Sequence, residues 1–206
     1  MRETYARIKP EIEKKLAGFS ALWDQGADLE LFQELCFCTC TPQTSAHRGW
    51  AAACTLLERG FLAHGSAEQV GAVLRECGVR FHNHKARYIT ENRETFYPHT
   101  KKRLARILEQ DDPHGALAAR VAGWGMKEAA HFMRNIGFGH VSSILDRHIL
   151  RRLAGCGVIP SIPKTLSPAR YRNIDQAMKA FAAACGIPLA ALDFVFWYQE
   201  TGELFK

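Results

Sequence analysis

The stretch Val121-Ala122-Gly123-Trp124-Gly125-Met126-Lys127-Glu128-Ala129-Ala130 joins two segments whose apolar residues recur at helical spacing. Two glycines that stand two residues apart permit a very tight turn with positive φ, and they let the backbone approach another surface closely. We expect the second helix to begin at about Met126, with its free N–H groups pointing out of the turn. Such a helix N-terminus binds phosphate well, although a plain helix–helix turn with a packing glycine shows the same pattern.

The remainder of the sequence favours an all-α fold of about ten helices. Proline follows Asp112, Ser167 and Ile187, at positions typical of the first residue of a helix. No alternating strand pattern of any length occurs, and residues 159–168, which contain three prolines, are predicted to form a loop. Apolar residues recur at helical spacing in five segments: Leu29–Cys40, Ala46–Leu57, Val70–Leu74, Leu117–Val121 and Ala177–Ala184.

Length and composition are those of a folded globular domain. The chain has 206 residues, of which 47% are hydrophobic and 23% are charged, and this balance excludes intrinsic disorder as its main state. No apolar run reaches the roughly 18 residues of a membrane span, and the first residues lack the apolar stretch of a signal peptide. We therefore expect one domain over residues 1–206, in a cytoplasmic, monomeric protein without a membrane partner.

The seven cysteines are an odd number in a chain with no export signal, so we expect reduced thiols. Three of them recur at spacing two, at Cys36, Cys38 and Cys40, which spreads them around a helix at ~100° per residue. No C-x-x-C pair occurs, and we expect no zinc or iron–sulfur site. The other four stand in apolar helical segments, where a buried thiol is usual: Cys54, Cys77, Cys156 and Cys185.

The net charge is positive and unevenly distributed. Lys and Arg number 27 against 21 Asp and Glu, which gives a formal charge of +6. Residues 147–172 contain six basic residues and no acidic residue, and residues 80–106 contain eight basic and two acidic residues. Two basic stretches suggest a polyanionic partner, although solvated helix faces give the same composition.

The residues that carry chemistry begin with Lys127 and Asp146. Lys127 lies just past the glycine turn, and Asp146 follows 19 residues later in Ile144-Leu145-Asp146-Arg147-His148. With this spacing the chain resembles the helix-hairpin-helix DNA glycosylase superfamily, whose hairpin lysine and downstream aspartate stand equally far apart. The resemblance implies two helical lobes with a DNA-binding cleft between them, and it places the hairpin near residues 115–137.

Three further segments extend this resemblance over roughly residues 30–206. Residues 40–45 are similar to the early Q-x-S segment of the superfamily, and residues 80–86 to its wedge loop and N-x-K-A helix start. The ending Phe196-Trp197-Tyr198-Gln199-Glu200-Thr201-Gly202-Glu203-Leu204-Phe205-Lys206 is similar to the archaeal-type 8-oxoguanine DNA glycosylase/lyases, whose chain stops at a lysine. The C-terminal cysteine set of the iron–sulfur members is missing.

The resemblance assigns catalysis to Lys127 and Asp146. An amine nucleophile can displace a base from the sugar C1′ and hold the sugar as a Schiff base, which permits strand cleavage by β-elimination. A carboxylate can stabilise the oxocarbenium-like charge that develops on the sugar. From the residues alone, Lys127 equally fits a phosphate contact, and Asp146 equally fits the N-cap of a helix that begins near Arg147.

The resemblance also implies a pocket for the damaged base at Trp197 and Lys206. Trp197 offers a flat face for stacking, and Lys206 brings an ammonium and, as the last residue of the sequence, a carboxylate. A core tryptophan and a frayed chain end are the alternatives.

DNA contacts are implied at four residues. Gln43 and Phe81 match the two positions that insert into DNA, and Gly123 and Gly125 belong to the hairpin that holds a phosphate. For Phe81 the alternative is a core aromatic, and for Gln43 it is a hydrogen bond that caps or closes its loop.

We therefore expect a bifunctional enzyme that excises 8-oxoguanine from double-stranded DNA and then cleaves the abasic site. The resemblance implies no redox cofactor and no hydrolytic metal. The carbonyls of Val121 and Gly123 match positions where the family can hold a structural monovalent cation. Two alternatives remain open: a glycosylase of the same superfamily for another lesion, such as an oxidised pyrimidine, and a non-catalytic helix-hairpin-helix DNA-binding protein.

Overall fold

The computed structural model describes all residues from Met1 to Lys206 and contains helices but no strand, which confirms the all-α prediction. Helix α9 continues into one wider turn, Arg134–Phe138. The α-helices outnumber the expected ten or so, and their bounds are α1 Arg2–Gln25, α2 Asp28–Cys40, α3 Ala46–Glu58, α4 Phe61–His64, α5 Ala67–Glu76, α6 His82–Phe96, α7 Thr100–Leu108, α8 Pro113–Arg120, α9 Met126–Met133, α10 Arg147–Gly155, α11 Pro168–Cys185 and α12 Leu189–Thr201.

Local capping signals position several helix starts. The Asp112 side chain accepts a 2.9 Å hydrogen bond from Gly115 N at the start of α8, and Ser167 caps α11 in the same way. Proline is the first residue of both helices, as predicted. The same prediction is wrong by one residue for Pro188, which precedes α12 and caps it with its carbonyl.

Two hydrophobic clusters divide the molecule into two lobes. The first cluster has 27 buried residues, from Leu31 to Ile136 in sequence, and is formed by α2 to α9 and the wider turn. The second has 18 buried residues and combines α1 with the helices after Leu145. Helix α1 and the helices after Leu145 therefore build one lobe together, and the middle of the chain builds the other, against which Phe205 also packs.

Helix α1 connects the two lobes. Its Ile8, Ile12 and Phe19 are buried in the second cluster, whereas Leu22 and Trp23 pack against the first. The 24-residue helix precedes the segment on which the sequence resemblance rests, and it contains Pro10 in its interior. It also packs along the wider turn that follows α9. This packing fixes the two lobes relative to each other.

The cysteines are all free thiols, and no group of three or more His, Cys, Asp or Glu side chains is arranged to hold a metal ion. Cys36, Cys38 and Cys40 are buried in α2. Burial of the other four thiols is a wrong expectation, because Cys156 is exposed and the remaining three are only half-buried. Cys77, Cys156 and Cys185 lie at helix ends, where the chain turns toward solvent.

No single helix is both long and apolar enough to cross a membrane. By length and composition alone, α11 and α12 together are long and apolar enough, as a pair bent by 88°.

Candidate active site

The predicted hairpin lies between the end of α8 at Arg120 and the start of α9 at Met126. Trp124 N closes the turn by donating a 3.2 Å hydrogen bond to the Val121 carbonyl. Gly123 has a φ of 80°, and a Cβ there would lie 2.3 Å from the Tyr88 ring, so only glycine fits. Gly125 has a φ of −117°. The expectation of positive φ therefore holds for Gly123 and is wrong for Gly125.

The hairpin is anchored to the first lobe by buried side chains. Asn92 of α6 is 1% exposed, and its amide accepts from Ala122 N at 2.8 Å and donates to the Ala122 carbonyl at 3.1 Å. The indole N–H of Trp124 donates to the Thr39 hydroxyl at 2.9 Å. These bonds fix the orientation of the turn, and they leave the N-terminal end of α9 as the free face of the hairpin.

Lys127 lies in the first turn of α9. Its Nζ stands 2.9 Å from Glu128 Oε1 and 3.5 Å from the hydroxyl of Thr41, in the loop between α2 and α3. The other oxygen of Glu128 accepts from Gly125 N at 3.1 Å and so caps the helix. The Lys127 side chain is one quarter exposed and lies between the hairpin and that loop.

Asp146 is the N-cap of α10, so the capping alternative is correct for its geometry. Its Oδ1 accepts a 2.8 Å hydrogen bond from Ile149 N. Tyr171 supports the loop before it from behind, because its hydroxyl donates to the Ser143 carbonyl at 2.6 Å and accepts from Leu145 N at 3.2 Å. Burial raises the pKa of Tyr171, so this hydroxyl stays protonated. The second oxygen of Asp146 makes no hydrogen bond within the protein and is therefore available to a ligand.

A cavity of about 750 Å³ brings the predicted residues together. Lys127, Asp146, Trp197, Lys206 and Gln43 all line it, although they come from four separate parts of the chain. The walls belong to both lobes, since the loop after α2 forms one side and α10 and α12 form the other. Its size suits a nucleobase with its sugar.

Lys206 is held in place, so the frayed-end alternative is wrong. Its ammonium forms an ion pair with Glu34 and stands 3.3 Å from the centroid of the Trp50 ring, a cation–π contact. Glu34 is 1% exposed and also accepts from the Asn135 amide at 2.6 Å. Glu34 therefore anchors the end of the chain in the first lobe.

Charged residues that the sequence analysis missed lie at the floor of the cavity. Arg134 and Asp193 form a buried ion pair, and the Arg134 guanidinium stands 4.4 Å from the Phe194 ring centroid. Burial raises the pKa of Asp193, against the opposing effect of Arg134. The only signal in the sequence is a charged residue at a core-facing position of an apolar helix, which is rare without a partner.

His131 also lines the cavity and follows Lys127 by one helical turn. Its ring packs edge-on against Phe37, with centroids 5.5 Å apart. Burial, together with the cations of Arg134 and Lys127, holds the pKa of His131 well below its ordinary value. The ring is therefore neutral near pH 7.

Phe81, Gly123 and Gly125 lie outside the cavity lining. Phe81 precedes α6 and is 50% exposed, so a core role for it is excluded. Gln43 is exposed as well, and its side chain forms no hydrogen bond. Trp197 is half-buried against the cavity, and its ring packs edge-on against His148 at 5.2 Å.

Part of the predicted basic surface binds within the protein. Lys85 is buried, and Arg93 is half-buried and donates to the Phe61 carbonyl at 3.2 Å. Arg151 pairs with Glu200 at 2.8 Å, which leaves fewer free cations than the composition suggests. Not every basic residue of the two stretches can therefore meet a polyanion.

A hairpin followed by a lysine, with a helix-capping aspartate across a cavity, is the arrangement of the helix-hairpin-helix DNA glycosylases. Residues 12–187 match the family model described as 8-oxoguanine DNA glycosylase. The chain is therefore a member of the 8-oxoguanine DNA glycosylase family.

Similar proteins span nearly the same length. An 8-oxoguanine DNA glycosylase/AP lyase of Fusobacterium nucleatum is 33% identical, with 100% of this chain and 96% of the relative covered. One of Korarchaeum cryptofilum is 36% identical, with 100% and 95% covered. The solved structure of the Methanocaldococcus jannaschii 8-oxoguanine glycosylase/lyase with a 15mer DNA containing 8-oxoguanine has a TM-score of 0.89 and 28% identity, with 100% and 99% covered.

Proposed function

We propose that this protein excises 8-oxoguanine from double-stranded DNA and then cleaves the strand at the abasic site, with Lys127 as the nucleophile. The observation that carries the proposal is the cavity that Lys127, Asp146, Trp197 and Lys206 line together, next to the hairpin. The family and the relatives, which are named glycosylase/AP lyases, support the same pair of activities. The relatives are bacterial and archaeal, so the site of action is the genomic DNA of the cytoplasm.

Lys127 attacks the sugar C1′ through its neutral amine. A C1′–N bond forms while the bond from C1′ to N9 of the base breaks, and the base leaves with the electron pair of that bond and takes up a proton. The C1′–O4′ bond then breaks and O4′ takes up a proton, while the nitrogen lone pair forms the C1′=N bond of a protonated Schiff base. This group makes the proton on C2′ acidic, and its loss expels the 3′ phosphate by β-elimination. Thr41 and Glu128 hold the amine at the mouth of the cavity until substrate enters.

Asp146 stabilises the positive charge that develops on the sugar during base departure. One of its oxygens is fixed by Ile149 N, which restrains the carboxylate, and the other has no hydrogen bond within the protein at the wall of the cavity that Asp146 lines. Capping and catalysis are compatible roles, because each uses a different oxygen.

The lesion is recognised between Trp197 and Lys206. 8-oxoguanine differs from guanine by a carbonyl at C8 and an N–H at N7, so a selective pocket needs an acceptor at N7–H. A buried acceptor that faces the lone pair of guanine N7 is penalised by about 1–3 kcal/mol. Trp197 stacks on the base, and the backbone of Lys206 supplies the acceptor.

DNA is gripped through its phosphates and opened by two inserting side chains. The free N–H groups at the start of α9, beside Gly123 and Gly125, receive a phosphate. A monovalent cation fits the carbonyls of Val121 and Gly123, since Gly123 O accepts no backbone hydrogen bond and Val121 O accepts only one. Phe81 and Gln43 fill the gap that the extruded base leaves.

Borohydride trapping tests the proposal, because it links a Schiff-base amine to DNA covalently. Wild-type protein is expected to form the adduct with 8-oxoguanine duplexes, and Lys127→Gln is expected to lose both adduct and base release while keeping DNA affinity. Lys9→Gln, which removes an exposed lysine of α1, serves as the control. An adduct formed by Lys127→Gln would assign the nucleophile to another amine, and failure of the wild type to trap would favour a non-catalytic DNA-binding protein. A lesion panel separates 8-oxoguanine from oxidised pyrimidines.

A further inference from the structure

Gln43 and Phe81 share an unusual backbone conformation. They are the only two non-glycine residues with positive φ, at 54° and 57°. L-residues disfavour this region, so contacts elsewhere must hold both loops in it. The two loops lie far apart in sequence, between α2 and α3 and directly before α6.

The Lys85 ammonium holds the Gln43 loop on both sides of Gln43. Its Nζ donates to the carbonyls of Cys40 and Pro42, each at 2.7 Å, and to the hydroxyl of Thr44 at 3.2 Å. Cys40 is the last residue of α2, where the free carbonyls of a helix favour a cation. All three protons of the ammonium therefore have an acceptor at the end of α2 or in the loop that follows it.

The same centre also holds the Phe81 loop. Lys85 N donates to the Phe81 carbonyl at 3.0 Å in the first turn of α6. Arg80 N donates at 3.1 Å to the same Thr44 hydroxyl that Lys85 contacts. The two loops thus meet at the Thr44 hydroxyl, which both Lys85 Nζ and Arg80 N contact, and at Lys85, whose side chain binds the Gln43 loop while its backbone N–H binds Phe81.

Burial excludes a direct DNA contact by Lys85. The residue is 5% exposed, and its ammonium is fully occupied within the protein. Burial lowers its pKa to about 8, as do the nearby cations of Lys127 and Arg80, whereas Cys40 and Glu128 oppose this shift. At neutral pH the ammonium is still charged, which strengthens its bonds to the carbonyls.

We propose that Lys85 is a positioning residue that couples the Gln43 loop to the Phe81 loop, so that the two side chains enter DNA as one unit. The proposal rests on the proposed function, in which these side chains insert. Loss of the ammonium would leave the Cys40 carbonyl unpaired and the Pro42 carbonyl with only a 3.5 Å contact from the Thr44 hydroxyl, and it would loosen the link between the loops.

The test is the fluorescence of 2-aminopurine placed opposite an unreactive abasic analogue in a duplex. This signal reports insertion and requires no chemistry, so it tests Lys85 separately from excision by Lys127. A double-mutant cycle with Gln43→Ala and Phe81→Ala measures whether the two side chains depend on each other. We expect the effects of Gln43→Ala and Phe81→Ala on the fluorescence to be non-additive in the wild-type background and additive in the Lys85→Met background.

Excision supplies a second measurement. Lys85→Met is expected to slow single-turnover excision from duplex DNA by about tenfold or more, while trapping on single-stranded abasic DNA, which needs no insertion, is kept. Lys85→Arg should recover part of the loss, since it restores a cation. Arg93→Met removes another cation–carbonyl contact of the same helix and should change neither measurement.

Persistence of the coupling in a folded Lys85→Met variant would overturn the proposal, and so would unchanged excision. If Lys85→Met does not fold, Thr44→Val removes the shared hydroxyl with a smaller perturbation. Weakened coupling in Thr44→Val supports the proposal, and full coupling there refutes it.

Discussion

The rings of His114 and Tyr171 lie 5.4 Å apart, between the helix that carries Lys127 and the loop that carries Asp146. His114 Nε2 forms a 2.6 Å hydrogen bond with the carbonyl of Met126, the first residue of α9. Tyr171 holds the other element through the two hydrogen bonds of its hydroxyl. Both rings are buried, so this contact sets the distance between the helix that carries Lys127 and the loop that carries Asp146, across the lobes.

Tyr171→Phe is expected to impair catalysis more than DNA binding. The change leaves a buried carbonyl and a buried N–H unpaired, which lowers the free energy of unfolding by about 1–3 kcal/mol. The freed loop lets Asp146 move, so single-turnover excision slows by about tenfold or more. Urea unfolding and excision rates measure the two effects. Tyr5→Phe is the control, because the Tyr5 hydroxyl forms no hydrogen bond, and an unchanged excision rate in Tyr171→Phe would count against the positioning role.

Asp146→Asn separates catalysis from capping. Asparagine is as good an N-cap as aspartate, so the free energy of unfolding should stay within about 0.5 kcal/mol of the wild type. Base release should nevertheless slow strongly, since the negative charge is lost. Asp146→Ala should lose both roles and about 1 kcal/mol of stability. A near-normal rate for Asp146→Asn would reduce this residue to a helix cap.

Lys206→Met is expected to weaken 8-oxoguanine excision, because the ion pair with Glu34 no longer holds the backbone acceptor of Lys206 in place. The Schiff base should still form on a preformed abasic site, because Lys127 supplies that amine. The substitution also leaves the buried Glu34 without its cation, which lowers the free energy of unfolding, so a loss of activity could reflect lost stability alone. The double variant Lys206→Met/Glu34→Gln removes the unpaired charge. Steady-state kinetics on both substrates distinguish the outcomes, and equal losses on the lesion and on the abasic site would contradict a role in base recognition.

Acidification is expected to destabilise the protein through two buried histidines. Burial lowers the pKa of His131 and of His114 in the folded state, whereas a histidine in the unfolded chain titrates near 6.5. Below about pH 6.5 the unfolded chain therefore binds more protons, and the free energy of unfolding falls by up to about 1.4 kcal/mol per pH unit for each histidine. His131→Leu should reduce the difference between urea midpoints at about pH 7.5 and about pH 5.5, and an unchanged difference would show that His131 titrates normally.

Local signals in the sequence predicted much of the helical framework. The side chains of Asp112 and Ser167 accept hydrogen bonds from backbone N–H groups only three residues away. Gly123 adopts a positive φ because it has no Cβ. The spacing of Lys127 and Asp146 predicted the candidate site, since each residue lies at a helix start and local sequence signals fix those starts. Helix α1 was not predicted, because its contacts with the two lobes exist only in the folded chain.

The sequence by itself determined the all-α class and several helix starts, and its resemblance to a known superfamily assigned catalysis to Lys127 and Asp146. Only the tertiary structure decided which polar side chains are buried and with which partner. Glu34 and Lys206 are 172 residues apart, and Lys85 reaches across 45 residues to Cys40. No periodicity or capping pattern encodes such pairs, since their energy depends on desolvation and on a partner that folding brings close.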